Sequence, residues 1–334
     1  MSSSPLSAGQ LAGHSLAILD DYTSSAQSYA DWSALANLST TVFTSRIPST
    51  SLVSTLRPFS IILAMRERTP FPRSVLSQLP NLKFVCTTGM RNRGIDLAAA
   101  RELGVVVSGT GRAPNAAGGL STGTVEQTWA LILALARRIK EENDSMRDGG
   151  WQTGVATGLA GKTLGVIGVG NLGTAVAQVG RAFGMKTLGW SPNLTAKRAE
   201  KAGVAFAGSL EELLRTSDVV TVHMVLSEST RGLLGKEELK LLKATAILVN
   251  SSRGPIVDEA ALLDMLRHRV IRGAGLDVYD EEPLPGDHPL RTLDNVVLSP
   301  HMGYVEDTTF SSWYPQCVEN TCAFLAGEPI RVLS

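Results

Sequence analysis

Residues 163–193 read TLGVIGVGNLGTAVAQVGRAFGMKTLGWSPN. The run TLGVIG has the length and apolarity of a buried strand, and Gly168-x-Gly170-x-x-Gly173 follows it directly. Beyond the turn, apolar residues recur at Leu172, Val176, Val179 and Phe183, the spacing of one helix face, and Gly184 supplies the stop. KTLGW then reads as the next strand. In such a unit each glycine has a mechanical task. Gly168 makes the tight turn, Gly170 lets the backbone approach a pyrophosphate, and Gly173 allows close packing of helix on strand. The helix opens at Asn171 and Leu172, and this end offers unpaired N–H groups and partial positive charge to phosphates. A glycine pattern alone is weak; strand, turn, helix and strand in order favour dinucleotide binding over a structural turn.

The end of the second strand departs from the usual pattern. An acidic residue about twenty residues past the turn ordinarily bonds the ribose 2′-hydroxyl and repels a 2′-phosphate. Here the chain has Ser191, Pro192 and Asn193. Ser191 and Asn193 can bond either a hydroxyl or a phosphate and repel neither. Lys197 and Arg198 follow on the next predicted helix, while Pro192 stands where an arginine often binds the phosphate. The expected cofactor is therefore NADP or NAD, with a lean to NADP.

The rest of the chain sets this unit in a larger α/β protein. Its 334 residues suffice for two domains, and 43% hydrophobic content excludes global disorder. Lysine plus arginine equal aspartate plus glutamate at 31 each, so charge points to no nucleic acid or anionic membrane. Cys86, Cys317 and Cys322 include no CxxC pair; they read as small apolar fillers or surface thiols, and no metal is expected. No segment has the length of a membrane span, and the first residues lack a signal-peptide pattern, so a soluble cytoplasmic protein is expected.

Upstream, SLAILD, IILAMR, LKFVCTTG and VVVSGT are strand-length apolar runs, with IDLAAARELG a short helix between the last two. Alternation of this kind implies a parallel sheet. GTGRAPNAAGGLSTG is a predicted loop, and TVEQTWALILALARRIKEEN a long helix, apolar almost all round in its first part and placed as a spine between two domains. From Lys162 to about Pro300 a second series offers six strands: TLGVIG, KTLGW, VVTVHM, AILVNSS, GAGLDV and NVVLSP. SLEELLRTS and DEAALLDMLRHR are helical in composition, and TFSSWYPQCVENTCAFLAGEP reads as one amphipathic helix that returns to the first domain. The predicted division is 1–112 plus 308–334, discontinuous, and 113–307.

Three of the strands in the second series deliver chemistry at their ends. AILVNSSRG delivers Arg253, GAGLDVYDEEP delivers Asp277 and Glu282, and NVVLSPHMG delivers His301. In open α/β sheets ligands sit beyond the carboxyl ends of strands, where the glycine turn also lies. Reduction of a 2-keto acid needs a hydride on carbon and a proton on oxygen. An imidazolium is a competent proton donor near neutral pH, and a carboxylate on its other nitrogen fixes the tautomer. Arg253 offers a fork of donors to a carboxylate. Singly, each residue also has an ordinary structural reading: a lone histidine, a capping arginine, a solvated loop acid. Their joint order gives the chemical reading its weight.

The segments GKTLGVIGVGNLG, LVNSSRGPIVDEAAL, GAGLDVYDEEPLP and SPHMG, in this order, resemble the D-isomer-specific 2-hydroxyacid dehydrogenase family, and the likeness extends back to LPNLKFVCTTGMRNRGIDLAAARELGVVV. The resemblance implies an α/β fold of two Rossmann-like doubly wound parallel-sheet domains with the active site in the cleft between them, and a homodimer. It implies hydride transfer between a nicotinamide cofactor and a small-molecule 2-keto or D-2-hydroxy acid. Position by position, Arg253 matches the substrate-binding arginine, Glu282 the carboxylate paired with the histidine, His301 the acid–base, and Asp277 the contact to the nicotinamide end. Thr88, Gly89 and Met90 match the loop whose backbone N–H groups hold the substrate carboxylate. Arg91 replaces a frequent second glycine there, as a further carboxylate ligand or a solvent-facing residue. Val225 stands where proline is common and implies a local change in the wall of the adenine pocket. Two other readings compete: a dinucleotide-sensing regulator of the corepressor type, and a phosphite-type dehydrogenase. Glu282 speaks against formate oxidation, whose enzymes in this family lack that carboxylate. Met302, Tyr304, Trp313 and Tyr314 follow the histidine; interior packing is the favoured reading, and a wall for branched or aromatic 2-keto acids the sharper one.

Overall fold

The computed structural model describes residues 8–111 and 123–333, so most of the predicted loop GTGRAPNAAGGLSTG lies outside the described residues. The chain divides into two compact units, Met1–Gly119 with Glu306–Ser334, and Leu120–Val305.

The first unit holds five parallel strands: β1 (Ser15–Ile18), β2 (Ser39–Val42), β3 (Ile61–Ala64), β4 (Phe84–Thr87) and β5 (Val106–Gly109). Their order, β2-β1-β3-β4-β5, reverses direction between β1 and β3. β3 and β4 are buried along their whole length, as central parallel strands covered on both faces must be. The helix Leu97–Glu102 starts where Asp96 Oδ1 accepts the Ala99 N–H at 2.9 Å and stops at Gly104, whose φ is +71°. The helix Asp307–Leu325 packs on β4, with Phe324 stacked on Phe84 at 4.5 Å. All three cysteines are buried, so the surface-thiol reading does not hold. Strand β2 escaped the sequence analysis because it is an edge strand pairing only with β1; its STTV faces solvent and carries no apolar pattern.

The second unit holds seven parallel strands: β6 (Thr163–Ile167), β7 (Lys186–Trp190), β8 (Ala205–Phe206), β9 (Val219–Val222), β10 (Ile247–Asn250), β11 (Gly273–Leu276) and β12 (Val296–Leu298). The order is β12-β11-β10-β9-β6-β7-β8, which reverses between β6 and β9. Crevices at such reversals, outside the carboxyl ends of the strands, are where doubly wound sheets bind ligands. The two-residue, exposed β8 is again an edge strand that the sequence did not announce. Ile167 is in register with Trp190 and with Val222, so Gly168, Ser191 and His223 leave the sheet side by side.

The predicted spine helix is two helices. The first runs Gly123–Ala136, Arg138 takes left-handed backbone at φ +57°, and the chain resumes as Ile139–Arg147. The Arg138 guanidinium explains the break locally: it bonds Glu142 Oε1 and Thr153 Oγ1, each at 3.1 Å, tying the second helix to the chain beyond it. The first helix belongs to the second unit, buries Val125, Trp129, Leu131, Ile132 and Leu135, and lies over β10, β11 and β12. Among the described residues no helix is long and apolar enough to cross a membrane.

His223 carries a pH dependence. Its ring is half-buried with Nε2 3.0 Å from Thr221 Oγ1, and desolvation pulls its pKa from 6.5 down to about 4. Between those values the unfolded chain binds the proton that the native chain refuses, so stability rises with pH across the window and is lost on acidification. Acidification through that window should remove up to about 3 kcal/mol of stability. His223→Asn should flatten the loss. Urea unfolding of both proteins at about pH 7 and about pH 5 checks this; equal losses would contradict it.

Candidate active site

The glycine turn has the geometry of a phosphate cradle. A Cβ at Gly168, whose φ is +100°, would lie 2.5 Å from the His223 carbonyl oxygen, and one at Gly173 would run into the Gly168 carbonyl. Only glycine closes the turn at those two points. At Gly170 the space around a Cβ is open, so the turn presents bare backbone there. The helix Asn171–Ala182 starts from Gly170 with no side chain capping it, which leaves its first N–H groups for a ligand. These residues fit a dinucleotide pyrophosphate.

Ser191 braces this turn: its Oγ accepts the Val169 N–H at 3.0 Å and keeps one proton to donate elsewhere. The residues that follow β7, Ser191, Pro192 and Asn193, include no carboxylate. Asn193 is exposed, and its carbonyl accepts from Arg198 at 3.2 Å; Lys197 and Arg198 are exposed. Val225 is exposed, and its carbonyl accepts from Thr230 Oγ1 at 2.7 Å.

Beyond β9 along the sheet from this turn, β10, β11 and β12 deliver Arg253, Asp277 with Glu282, and His301. Gly254 permits the first approach, since a Cβ there would collide with the Tyr279 carbonyl group. Tyr279 ties the other two loops: its hydroxyl donates to the Ser299 carbonyl at 2.9 Å, and its N–H to Glu282 Oε1 at 3.0 Å. Glu282 Oε2 then meets His301 Nδ1 at 2.6 Å. Burial pushes the Glu282 carboxyl up, but the His301 bond and charge, the Tyr279 N–H and nearby Arg253 outweigh it and hold the pKa below the ordinary value. An ionised carboxylate only accepts, so Nδ1 carries the proton in this pair and Nε2 takes no part in it. Arg253 donates to its neighbour Ser252's carbonyl at 2.7 Å and adds positive charge beside Glu282. Tyr304 lies edge-on to the His301 ring at 5.3 Å.

Asp277 is 1% exposed, and its carboxylate is occupied: Oδ1 accepts the Met302 N–H at 2.8 Å and Oδ2 the Gly303 N–H at 3.0 Å. Burial raises its pKa in spite of those bonds. The sequence reading assigned Asp277 to a ligand; the structure gives it a second task, holding the residues just after His301. His301 itself has φ +56°, a left-handed conformation that costs a residue with a Cβ of order 1–3 kcal/mol.

In the first unit, the Thr88 N–H goes to the Ala64 carbonyl at 3.1 Å and the Gly89 N–H to Thr110 Oγ1 at 2.7 Å. Those two donors are consumed by the fold. Among the described residues the Met90 and Arg91 N–H groups have no such partner, and both side chains are exposed. Gly89 must be glycine: its φ is +89°, and a Cβ would strike the Arg66 guanidinium, which lies 5.7 Å from the Trp313 ring. Trp313 and Tyr314 are 8% and 0% exposed, so these two pack the interior of the first unit.

Sequence reasoning missed a polar stripe on the helix Gly123–Ala136. Thr124 Oγ1 donates to the Gly303 carbonyl at 2.7 Å, Gln127 Nε2 to Ser299 Oγ at 2.7 Å, and Thr128 Oγ1 shares a 2.7 Å bond with Ser251 Oγ. The signal was three polar residues at i, i+3 and i+4 on a helix otherwise apolar almost all round. Among the described residues no group of three or more His, Cys, Asp or Glu is placed to hold a metal ion.

Residues 129–303 match the model of the family described as D-isomer specific 2-hydroxyacid dehydrogenase, NAD binding domain. A glyoxylate reductase of Aeropyrum pernix is 41% identical over 263 residues, 76% of this chain and 76% of that protein. A D-3-phosphoglycerate dehydrogenase of Methanocaldococcus jannaschii is 40% identical over 72% of this chain, which spans 45% of that longer protein. Among solved structures, a phosphoglycerate oxidoreductase from Vibrio cholerae superposes with a TM-score of 0.87 at 32% identity, covering 94% of this chain and 99% of that one. The chain belongs to the D-isomer specific 2-hydroxyacid dehydrogenase family, and its second unit carries that family's NAD-binding domain.

Proposed function

We propose that the protein reduces a small 2-keto acid to the D-2-hydroxy acid, and catalyses the reverse, with His301 as acid–base. The observation that carries this reading is the 2.6 Å bond from His301 Nδ1 to an ionised Glu282, which orients the ring and leaves Nε2 for the reacting oxygen. Gly168, Gly170 and Gly173 would hold a nicotinamide dinucleotide, with Asp277 assigned to its nicotinamide end, and that group would supply the hydride. In reduction, protonated His301 gives its Nε2 proton to the carbonyl oxygen as charge develops there, and Glu282 steadies the imidazolium before transfer. In the reverse direction the neutral ring takes the hydroxyl proton. Arg253 holds the substrate carboxylate through two parallel bonds and polarises the adjacent carbonyl. The Met90 and Arg91 N–H groups, with Thr88 and Gly89 shaping their loop, are further candidates to hold a substrate carboxylate. A small acid is supported by the glyoxylate reductase relative and by the interior packing of Trp313 and Tyr314. A homodimer is part of this proposal; exposed Ile139, Met146, Trp151 and Val155 fall in one stretch of chain.

On cofactor choice, we infer that NADPH is used with NADH tolerated. Ser191 offers a donor and no negative charge, and Lys197 and Arg198 follow nearby in the chain. Ser191→Asp should shift the ratio of kcat/KM values toward NADH, because a carboxylate repels a 2′-phosphate and can still accept the Val169 N–H. An unchanged ratio would remove Ser191 from the ribose site.

His301→Ala should lower kcat by at least about a hundredfold with pyruvate or glyoxylate, the usual size of an acid–base contribution. Arg253→Ala should act mainly on kcat/KM. Near-normal turnover by the His301 variant would sink the mechanism.

A further inference from the structure

We propose that Thr124 and Gln127, on the first turns of the helix Gly123–Ala136, are positioning residues for His301, acting through the loop 299–303; this rests on the acid–base role given to His301 above. The backbone of His301 is left-handed, at φ +56°, and such a conformation persists only where its surroundings over-determine it. Both flanks of the residue are pinned to one helix face. Before it, the Ser299 N–H goes to the Leu276 carbonyl at 2.8 Å, and Ser299 Oγ takes the Gln127 amide at 2.7 Å. After it, Asp277 receives the Met302 and Gly303 N–H groups, and the Gly303 carbonyl takes Thr124 Oγ1 at 2.7 Å. Gln127 Nε2 also lies 3.4 Å from Asp277 Oδ1, joining the two flanks.

The fit leaves no slack at the far end. A Cβ on Gly303 would stand 3.2 Å from Thr124 Oγ1 and 3.3 Å from Asp277 Oδ2, tighter than ordinary contact. Part-buried polar side chains cost free energy unless they are bonded, and here the bonds that Thr124, Gln127 and Thr128 send out of the helix go to strand-end loops that carry a reacting group or its support. Thr128 extends the pattern through Ser251, two residues before Arg253. The helix thus serves as a rail on which the strand-end loops are registered. What it fixes is the place of the imidazole against Glu282, a contact at 2.6 Å that a relaxed loop would lengthen.

Thr124 provides the cleaner test, since it bonds neither Asp277 nor any residue assigned to the cofactor. Thr124→Val removes the hydroxyl and keeps the shape; Thr124→Ser keeps the hydroxyl. The valine variant should lose at least about tenfold in kcat, with KM for NADPH and for the keto acid within about twofold, as misplacement of a reacting group predicts. The serine variant should regain most of the loss. Wild-type kcat in Thr124→Val, or equal loss in valine and serine variants, overturns the proposal. Gln127→Met, which loses the amide at similar side-chain length, carries the same kcat expectation and decides the matter if Thr124→Val does not fold. His301→Ala is run alongside: if it turns over normally, the acid–base reading has failed, whereas a dead His301→Ala with a normal Thr124→Val refutes the positioning role alone.

Discussion

The bond between His301 Nδ1 and Glu282 Oε2 is the constraint around which the large unit is arranged. A half-buried carboxylate is costly unless it is paired and hydrogen-bonded. Glu282 meets that condition with a backbone N–H on one oxygen, the imidazole on the other, and Arg253 close by. The same arrangement commits one ring nitrogen to Glu282 and leaves the other for the proton transfer proposed. Stability and chemistry make one demand here, because the contacts that keep Glu282 ionised also aim the histidine.

That bond is possible only because neighbouring parallel strands end together. Leu276 and Leu298 pair in register, so the loops carrying Glu282 and His301 leave the sheet at the same edge. Asn250 pairs with Leu276, which brings the Arg253 loop to that edge, and Ile167 pairs with Val222, which puts the glycine turn there too. Close backbone approach then does the rest. Gly254 against Tyr279 and Gly168 against His223 are contacts that a single methyl group would prevent. Parallel pairing, short loops and a few missing side chains therefore concentrate donors and charge at one sheet edge, as doubly wound folds do.

How legible this was in the sequence follows from where each signal originates. Central strands such as Ile61–Ala64 and Ile247–Asn250 are buried on both faces and stand out as apolar runs. Edge strands Ser39–Val42 and Ala205–Phe206 are exposed and leave no such trace. The break at Arg138 was hidden because its cause is a set of side-chain partners, Glu142 and Thr153, rather than a glycine or proline. Arg253, Glu282 and His301 could be read as strand-end residues from their order alone. That Asp277 grips the residues after His301 could not, since a backbone N–H has no signature in sequence. Thr124, Gln127 and Thr128 were visible as polar residues on an apolar helix, but only the structure shows what they bond.

What is proposed for this sheet edge is the transfer of a hydride to the carbon, and of a proton to the oxygen, of a 2-keto acid. It is tested most directly by supplying pyruvate with NADPH or NADH carrying deuterium at both C4 positions of the nicotinamide ring, and analysing the product by mass spectrometry and chiral chromatography. The account predicts D-lactate with the label on C2. Lactate formed without the label, or no reduction of pyruvate or glyoxylate with either cofactor, would contradict it.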